Sequence, residues 1–274
     1  MGHRLIYIGQ DRAVDWVPGA KPSYRVWAYE RFADGNDPLT EILLEGNWST
    51  ITKGHELIWL GRDLRGKPDS VDDLVLDWVP STISEDYPAG YYRVFRVDPE
   101  GTKYKSTASD ILAEPYLVKG NWSSIRASKK LVYLGGDRVL DWEPSSGNAR
   151  IWILARKAVE NAVENIDPFP DAPEVEWTWD SIQKGHRIIN LGGDRVLSWM
   201  PSTGWYRVWR YDRTIRDGDP FPNPPLVEGY WQDIDETHEL VWLGGRQILD
   251  WQPESSKYRI LLFDRTVVSA NPLK

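Results

Sequence analysis

The sequence predicts an all-β fold: a single five-bladed β-propeller domain over residues 1–274, built from five internal repeats. Three observations predict it. First, one unit recurs five times, starting at Gly2, Gly54, Ser128, Gly185 and Thr237; its clearest copy is GHRIINLGGDRVLSWMPSTGWYRVWRYDR, from Gly185 to Arg213. Second, each copy holds three short apolar runs separated by turn residues. Third, a proline-rich spacer between copies leads into a further short run with a tryptophan, a candidate fourth strand per unit. Four short strands recurring at such spacing read as one propeller blade.

The elements follow in order within a copy. In the first run His186, Ile188 and Asn190 alternate with Arg187, Ile189 and Leu191, the period of a strand. A glycine closes this run in all five copies, at Gly9, Gly61, Gly135, Gly192 and Gly244, where a tight hairpin favours it. The second run ends in Trp-x-Pro: Trp16/Pro18, Trp78/Pro80, Trp142/Pro144, Trp199/Pro201 and Trp251/Pro253. Proline there ends the strand and starts a turn. The third run, as in Tyr206–Arg213, always carries an arginine: Arg25, Arg93, Arg150, Arg207 or Arg259.

The spacers are Asp37–Ile51, Asp110–Ile125, Asp167–Ile182 and Asp219–Ile234, with tryptophans at 48, 122, 179 and 231. Units drawn from spacer to spacer span 2–36, 37–109, 110–166, 167–218 and 219–274, and the first then lacks a tryptophan run of its own. Copies two and three are irregular. Arg62–Asp73 and Ser81–Tyr91 are extended loops, which surfaces accept cheaply, and Arg156–Pro168 has the composition of a short helix.

Composition narrows the function. The chain has 16 Trp and 13 Tyr but 5 Phe, so its aromatic excess is amphipathic, with flat apolar faces and hydrogen-bonding edges. Without cysteine there is no disulfide framework, thiolate metal site or cysteine nucleophile. A net charge of −8 with dispersed Lys and Arg argues against a nucleic-acid partner. No apolar run reaches the roughly 20 residues of a membrane span, so no membrane insertion is expected. The opening MGHRLIYIGQDR lacks a signal peptide's apolar stretch, which points to the cytoplasm or to secretion without a classical signal.

Candidate residues fall at repeated positions. The four histidines, His3, His55, His186 and His238, share one place in the repeat, as strand-end residues rather than a converging catalytic or metal group. No catalytic, metal or cofactor site is expected. Asp15, Asp77, Asp141 and Asp250 precede the repeated Trp, with Ser198 in the fourth copy. With Arg25, Arg93, Arg150, Arg207 and Arg259 on the neighbouring strand they make cross-strand ion pairs or, alternatively, a groove that binds a ligand. The spacer residues Asn47, Trp48, Asn121, Trp122, Trp179, Tyr230 and Trp231 suit a sugar, an aromatic face beside groups that take hydroxyls. The alternative is that these tryptophans fill the wedge between twisted sheets. The acidic stretch Asp69–Asp73 lacks the spacing of a calcium loop.

Gly46–Trp48, Gly120–Trp122 and Glu228–Trp231, each leading from a spacer into aromatic strands, resemble the lectin propellers of the tachylectin-2 type. The resemblance implies a five-bladed ring with a pocket for an N-acetylated sugar per blade or blade junction, carried by the Trp segments. WD40 propellers share the Gly-His at Gly185/His186, but the dipeptide here is the reversed Asp-Trp. The expected function is that of a multivalent, non-enzymatic carbohydrate-binding protein whose partners are glycans or glycoconjugates. A protein-interaction scaffold with a protein partner is the alternative, and a propeller hydrolase a third. Sequence does not decide the oligomeric state.

Overall fold

The computed structural model describes residues 3–19, 22–30, 38–62, 73–97, 111–161, 166–169, 172–182, 184–267 and 271–273. The fold is all-β, a five-bladed β-propeller of five antiparallel sheets, with one short helix among the described residues. The chain divides into two compact units, residues 1–127 with 154–170 and residues 128–153 with 171–274.

The first unit holds two sheets. One is β1 (Arg4–Tyr7), β2 (Arg12–Val17), β3 (Ser23–Tyr29) and β4 (Leu39–Asn47); the other is β5 (Glu56–Arg62), β6 (Asp73–Val79), β7 (Tyr91–Val97) and β8 (Leu112–Asn121). Strands β1 and β5 lie beside each other, so β4 and β8 take the far edges of their sheets. Every residue of β6 (DLVLDWV) is buried, as a strand covered on both faces requires. Val14, Trp16, Val26, Trp48, Val75 and Phe95 form one core between the sheets.

The second unit holds three sheets. They are β9 (Lys130–Gly135), β10 (Arg138–Trp142), β11 (Asn148–Ile153) and β12 (Val175–Thr178); β13 (Arg187–Asn190), β14 (Arg195–Met200), β15 (Trp205–Arg210) and β16 (Val227–Tyr230); and β17 (Glu239–Trp242), β18 (Gln247–Gln252) and β19 (Lys257–Leu262). Strand β13 lies beside both β9 and β17. Leu140, Trp142, Trp179 and Trp209 belong to one core cluster, and Trp199, Val208, Trp231 and Ile248 to the next.

The sheets correct one expectation. The tryptophan run pairs with the three strands before it, as β4 with β3 and β16 with β15, and not with those after it. A sheet therefore runs from a copy's first strand through the following spacer, and the first copy is complete. The sheet of β17, β18 and β19 is the three-stranded one. The helix expected within Arg156–Pro168 is the single turn α1 (Arg156–Glu160). Most of the long Arg62–Asp73 loop, and the acidic stretch save Asp73, lie outside the described residues. Asp73 itself accepts hydrogen bonds from Gln10 Nε2 at 3.1 Å and Trp59 Nε1 at 2.9 Å.

Among the described residues, three further arginines past the ends of third strands bind carbonyls of another sheet. Arg213 donates to the Leu134 and Gly135 carbonyls at 3.2 and 3.3 Å, and Arg265 to that of Leu191 at 3.4 Å. In the first unit the buried Arg156 likewise meets the carbonyls of Leu60 and Gly61. Each satisfies carbonyls where a strand ends at a glycine turn. Among the described residues no helix is long and apolar enough to cross a membrane.

Candidate ligand-binding site

The arginine expected to face a ligand sits on the third strand, directly opposite the second-strand aspartate: Arg25 opposite Asp15, Arg93 opposite Asp77, Arg150 opposite Asp141 and Arg259 opposite Asp250. In the second copy the group is closed. His55 Nδ1 lies 2.7 Å from Asp77 Oδ1, while Arg93 donates to Oδ2 through Nε (2.9 Å) and Nη2 (2.6 Å). All three side chains are buried, and Arg93 also reaches the Thr50 carbonyl at 3.1 Å. The fifth copy repeats it, with His238 Nδ1 2.6 Å from Asp250 Oδ1 and Arg259 Nε 2.7 Å from Oδ2. Arg259, half exposed, also pairs with Asp233 at 2.7 Å. In the third copy Lys129 replaces histidine and pairs with Glu143, and Arg150 is bound to Asp141. Burial above all pushes the Asp141 carboxyl upward. These are ion-pair clasps within the blade, and they engage Arg93, Arg150 and much of Arg259 internally.

The four spacer tryptophans are buried, which corrects their reading as sugar platforms. Trp48 stacks on Tyr24 (centroids 4.4 Å apart), Trp122 on Tyr92 (4.1 Å), Trp231 on Tyr206 (4.3 Å) and Trp179 on Phe221 (4.6 Å). The other face of Trp122 meets Phe169 at 5.3 Å. The indole N–H groups of Trp122 and Trp231 donate to Asp167 Oδ1 (2.9 Å) and Asn271 Oδ1 (3.0 Å). A pyranose needs an open aromatic face, and these faces are closed by the blade itself.

The fourth copy differs. Ser198 stands where the other copies have aspartate, and its Oγ accepts from Trp209 Nε1 at 3.1 Å. His186 is buried and its Nδ1 has no hydrogen-bond partner in the protein. Burial first, then the charge of Arg207, lowers its pKa. Arg207, with no carboxylate opposite it, donates to Glu228 Oε2 and to the Ser181 carbonyl, both at 3.2 Å. Its guanidinium carbon lies 3.8 Å from the ring centroid of Trp205. Trp205 is the cross-strand partner of Tyr230, and Arg207 that of Glu228, so all four share one face of the sheet. Tyr230 is 71% exposed, more than any other large apolar or aromatic side chain among the described residues.

Of the predicted residues, the structure therefore brings Tyr230 and Arg207 together, and adds Trp205 and Glu228. Asn47 and Asn121 are exposed at the same strand position as Tyr230, opposite Ser23 and Tyr91. Only the second copy adds aromatic rings there. Tyr87 lies edge-on to Tyr91 at 5.2 Å, and Arg93 is 5.7 and 5.9 Å from their centroids. The surface in copy four thus offers aromatic carbon beside a guanidinium and a carboxylate, and that in copy two offers aromatic carbon beside the Asn121 amide. Among the described residues no group of three or more His, Cys, Asp or Glu is placed to hold a metal ion.

No protein-family model matches the chain, and no curated protein does. Solved structures are similar in fold. A candidate phosphatase from Bacteroides thetaiotaomicron matches with a TM-score of 0.50 and 13% identity, over 96% of this chain and 59% of that one. Hsv2p of Kluyveromyces lactis matches with a TM-score of 0.40 and 10% identity, over 98% and 96%. The β-propeller domain of Myceliophteria thermophila Cps50 (Swd1) matches with a TM-score of 0.39 and 10% identity, over 92% and 66%. This chain spans less than two thirds of the length of the first and third. At such identities the likeness is one of fold, and function has to be argued from the site.

Proposed function

We propose that this protein binds carbohydrate without catalysis, through the exposed Tyr230 surface of its fourth blade and the half-buried tyrosines of its second. The observation that carries the reading is the paired Trp205 and Tyr230, with Tyr230 largely exposed and the Arg207–Glu228 ion pair in the next row of the same face. Aromatic carbon takes the C–H face of a sugar, while the ion pair offers donors and an acceptor for its hydroxyls. The Tyr87, Tyr91 and Asn121 surface is the second site, and two weak sites on one chain gain avidity for a glycan-bearing surface. N-acetylated sugars are the first class to test.

A glycan array with intact protein, followed by tryptophan fluorescence titration of each hit, tests this. Binding with quenching is expected, and Tyr230→Ala should weaken it about tenfold, the scale of one aromatic contact. Silence across the array, or hits indifferent to both Tyr230→Ala and Tyr91→Ala, would overturn the reading.

A further inference from the structure

Two blades depart from the common set of buried pairs, in different ways. The third replaces the Tyr206–Gly229 pair by Ala149 and Trp177, so the residue opposite makes good the bulk that is lost. Its other departure, Lys129 in place of histidine, is met by Glu143. The fourth blade replaces aspartate by Ser198 and yet keeps both groups that the aspartate binds elsewhere, His186 and Arg207.

The frame around Ser198 is unchanged. Arg187 faces Trp199 as Glu56 faces Trp78 and Glu239 faces Trp251, so His186 stands to Ser198 as His55 to Asp77 and His238 to Asp250. Arg207 faces Ser198 as Arg93 faces Asp77 and Arg259 faces Asp250. Trp209 Nε1 reaches Ser198 Oγ, as Trp152 Nε1 of the third blade lies 3.5 Å from Asp141 Oδ2. In the second and fifth blades a carboxylate gathers the histidine Nδ1 (2.7 and 2.6 Å) and the arginine Nε (2.9 and 2.7 Å).

In the fourth blade the same donors meet a hydroxyl. It is smaller than a carboxylate by a carbonyl group, carries no charge and brings an O–H donor of its own. His186 is only 8% exposed, and its Nδ1 finds no partner in the protein. The carboxylate that Arg207 does bind, Glu228, is 56% exposed while the arginine side chain is 17% exposed, so it serves the outer side of the guanidinium. A buried donor without an acceptor is costly, and one beside a guanidinium is best met by a negative charge.

We infer that the fourth blade binds a small monovalent anion, of chloride's size, beside Ser198. His186 Nδ1–H, the Ser198 hydroxyl and the Arg207 guanidinium hold it where the other blades have the aspartate carboxylate. Tetrahedral oxyanions exceed the room that the loss of one carbonyl group leaves. Charge decides the protonation state. Arg207 is the charged group that acts on His186, and Glu228 across from it on β16 offsets Arg207, so the anion is balanced by a proton on the imidazole. Anion and proton therefore enter together, and the anion opposes the burial and the Arg207 charge that disfavour the imidazolium. The inference does not depend on the carbohydrate reading.

Thermal unfolding of the full chain in sodium chloride and in sodium gluconate, at equal ionic strength and at pH 5.5 and 7.5, tests it. Chloride should raise Tm over gluconate, as a ligand of the folded state does. The apparent Kd for chloride, read from the dependence of Tm on its concentration, should be at least about threefold lower at pH 5.5 than at 7.5. Ser198→Asp supplies the carboxylate internally and should lose the chloride-specific gain. A second measurement leaves Ser198 in place: the His186 ring signal, identified by its loss in His186→Gln, is titrated by NMR in each salt. Its pKa should be higher in chloride by about half a unit or more, the same threefold effect. Equal Tm in the two salts, an equal chloride gain in Ser198→Asp, or a His186 titration indifferent to chloride would overturn the inference and leave a water molecule as the acceptor.

Discussion

Trp231 lies nearly parallel to Tyr206, their ring centroids 4.3 Å apart and their planes 16° from coplanar. The indole sits just beyond the end of β16, its backbone N–H bonded to the Gly204 carbonyl at 2.9 Å, so the stack locks the fourth strand to the third. Trp231→Ala should therefore cost about 3–5 kcal/mol, the scale of truncating a buried aromatic. Denaturant unfolding of the variant checks this, and Trp231→Phe should recover part of the loss.

Asp77 holds both His55 and Arg93 in a buried group. Its removal leaves a guanidinium without its carboxylate inside the blade. Asp77→Ala should destabilise by about 3–5 kcal/mol, as breaking one side of a buried pair does. The equivalent Asp15→Ala faces a half-exposed His3 and should cost about 1 kcal/mol or less. Parallel urea titrations of the two variants separate the cases.

His186 gives the fourth blade a distinct pH response. Its pKa is lowered in the folded state by burial and by Arg207, so below its ordinary value of 6.5 the unfolded chain binds the extra proton. The stability this neutral imidazole contributes is present above pH 6.5 and is lost as pH falls toward the lowered value. Ser198→Asp would supply the carboxylate that His55 and His238 have. The imidazole should then favour its charged form, and the stability of the variant relative to the parent should grow between pH 7.5 and 5.5. Thermal unfolding across that window reads the difference, and a flat or falling one would contradict the assignment.

Asp219 should titrate in a range unusual for a carboxyl. Burial raises it to about 6, with the nearby Asp180 charge adding to the rise and the Phe221 N–H bond opposing it. Its neutral form is the stable one in the fold, so its contribution is full below pH 3.8 and is lost as pH rises through about 6. Asp219→Asn keeps an acceptor for the Phe221 N–H, as Asn271 does for that of Leu273. The variant should be the more stable protein at pH 7.5, with the advantage gone near pH 4.

The blades were legible because their turn chemistry repeats: glycine at each hairpin and Trp-x-Pro at each strand end are local signals. Which strands share a sheet is not a local property. The spacer run reads as a strand in either assignment, and it is cross-strand pairing, as of Tyr206 with Gly229 and Tyr24 with Gly46, that attaches it to the strands before it. The aspartate–arginine clasp could be read from spacing, since both residues recur at fixed positions on adjacent strands. Exposure could not. Trp231 and Tyr230 are neighbours in sequence, yet alternation along the strand end buries one and exposes the other. Trp205 is not marked by the sequence, because its partner is set by cross-strand register rather than by the repeat.

The exchange of Tyr206–Gly229 for Ala149–Trp177 has a consequence for recombining these blades. A crossover placed in the spacer ahead of the fourth strand could set a tryptophan against a tyrosine in one product and a glycine against an alanine in the other. One chimera would be overfilled and its reciprocal hollow, although each half came from a working blade. A crossover placed after the spacer tryptophan carries both members of the pair together. The segment that can be transplanted whole therefore begins at the first strand of one copy and ends at the tryptophan that follows its third strand.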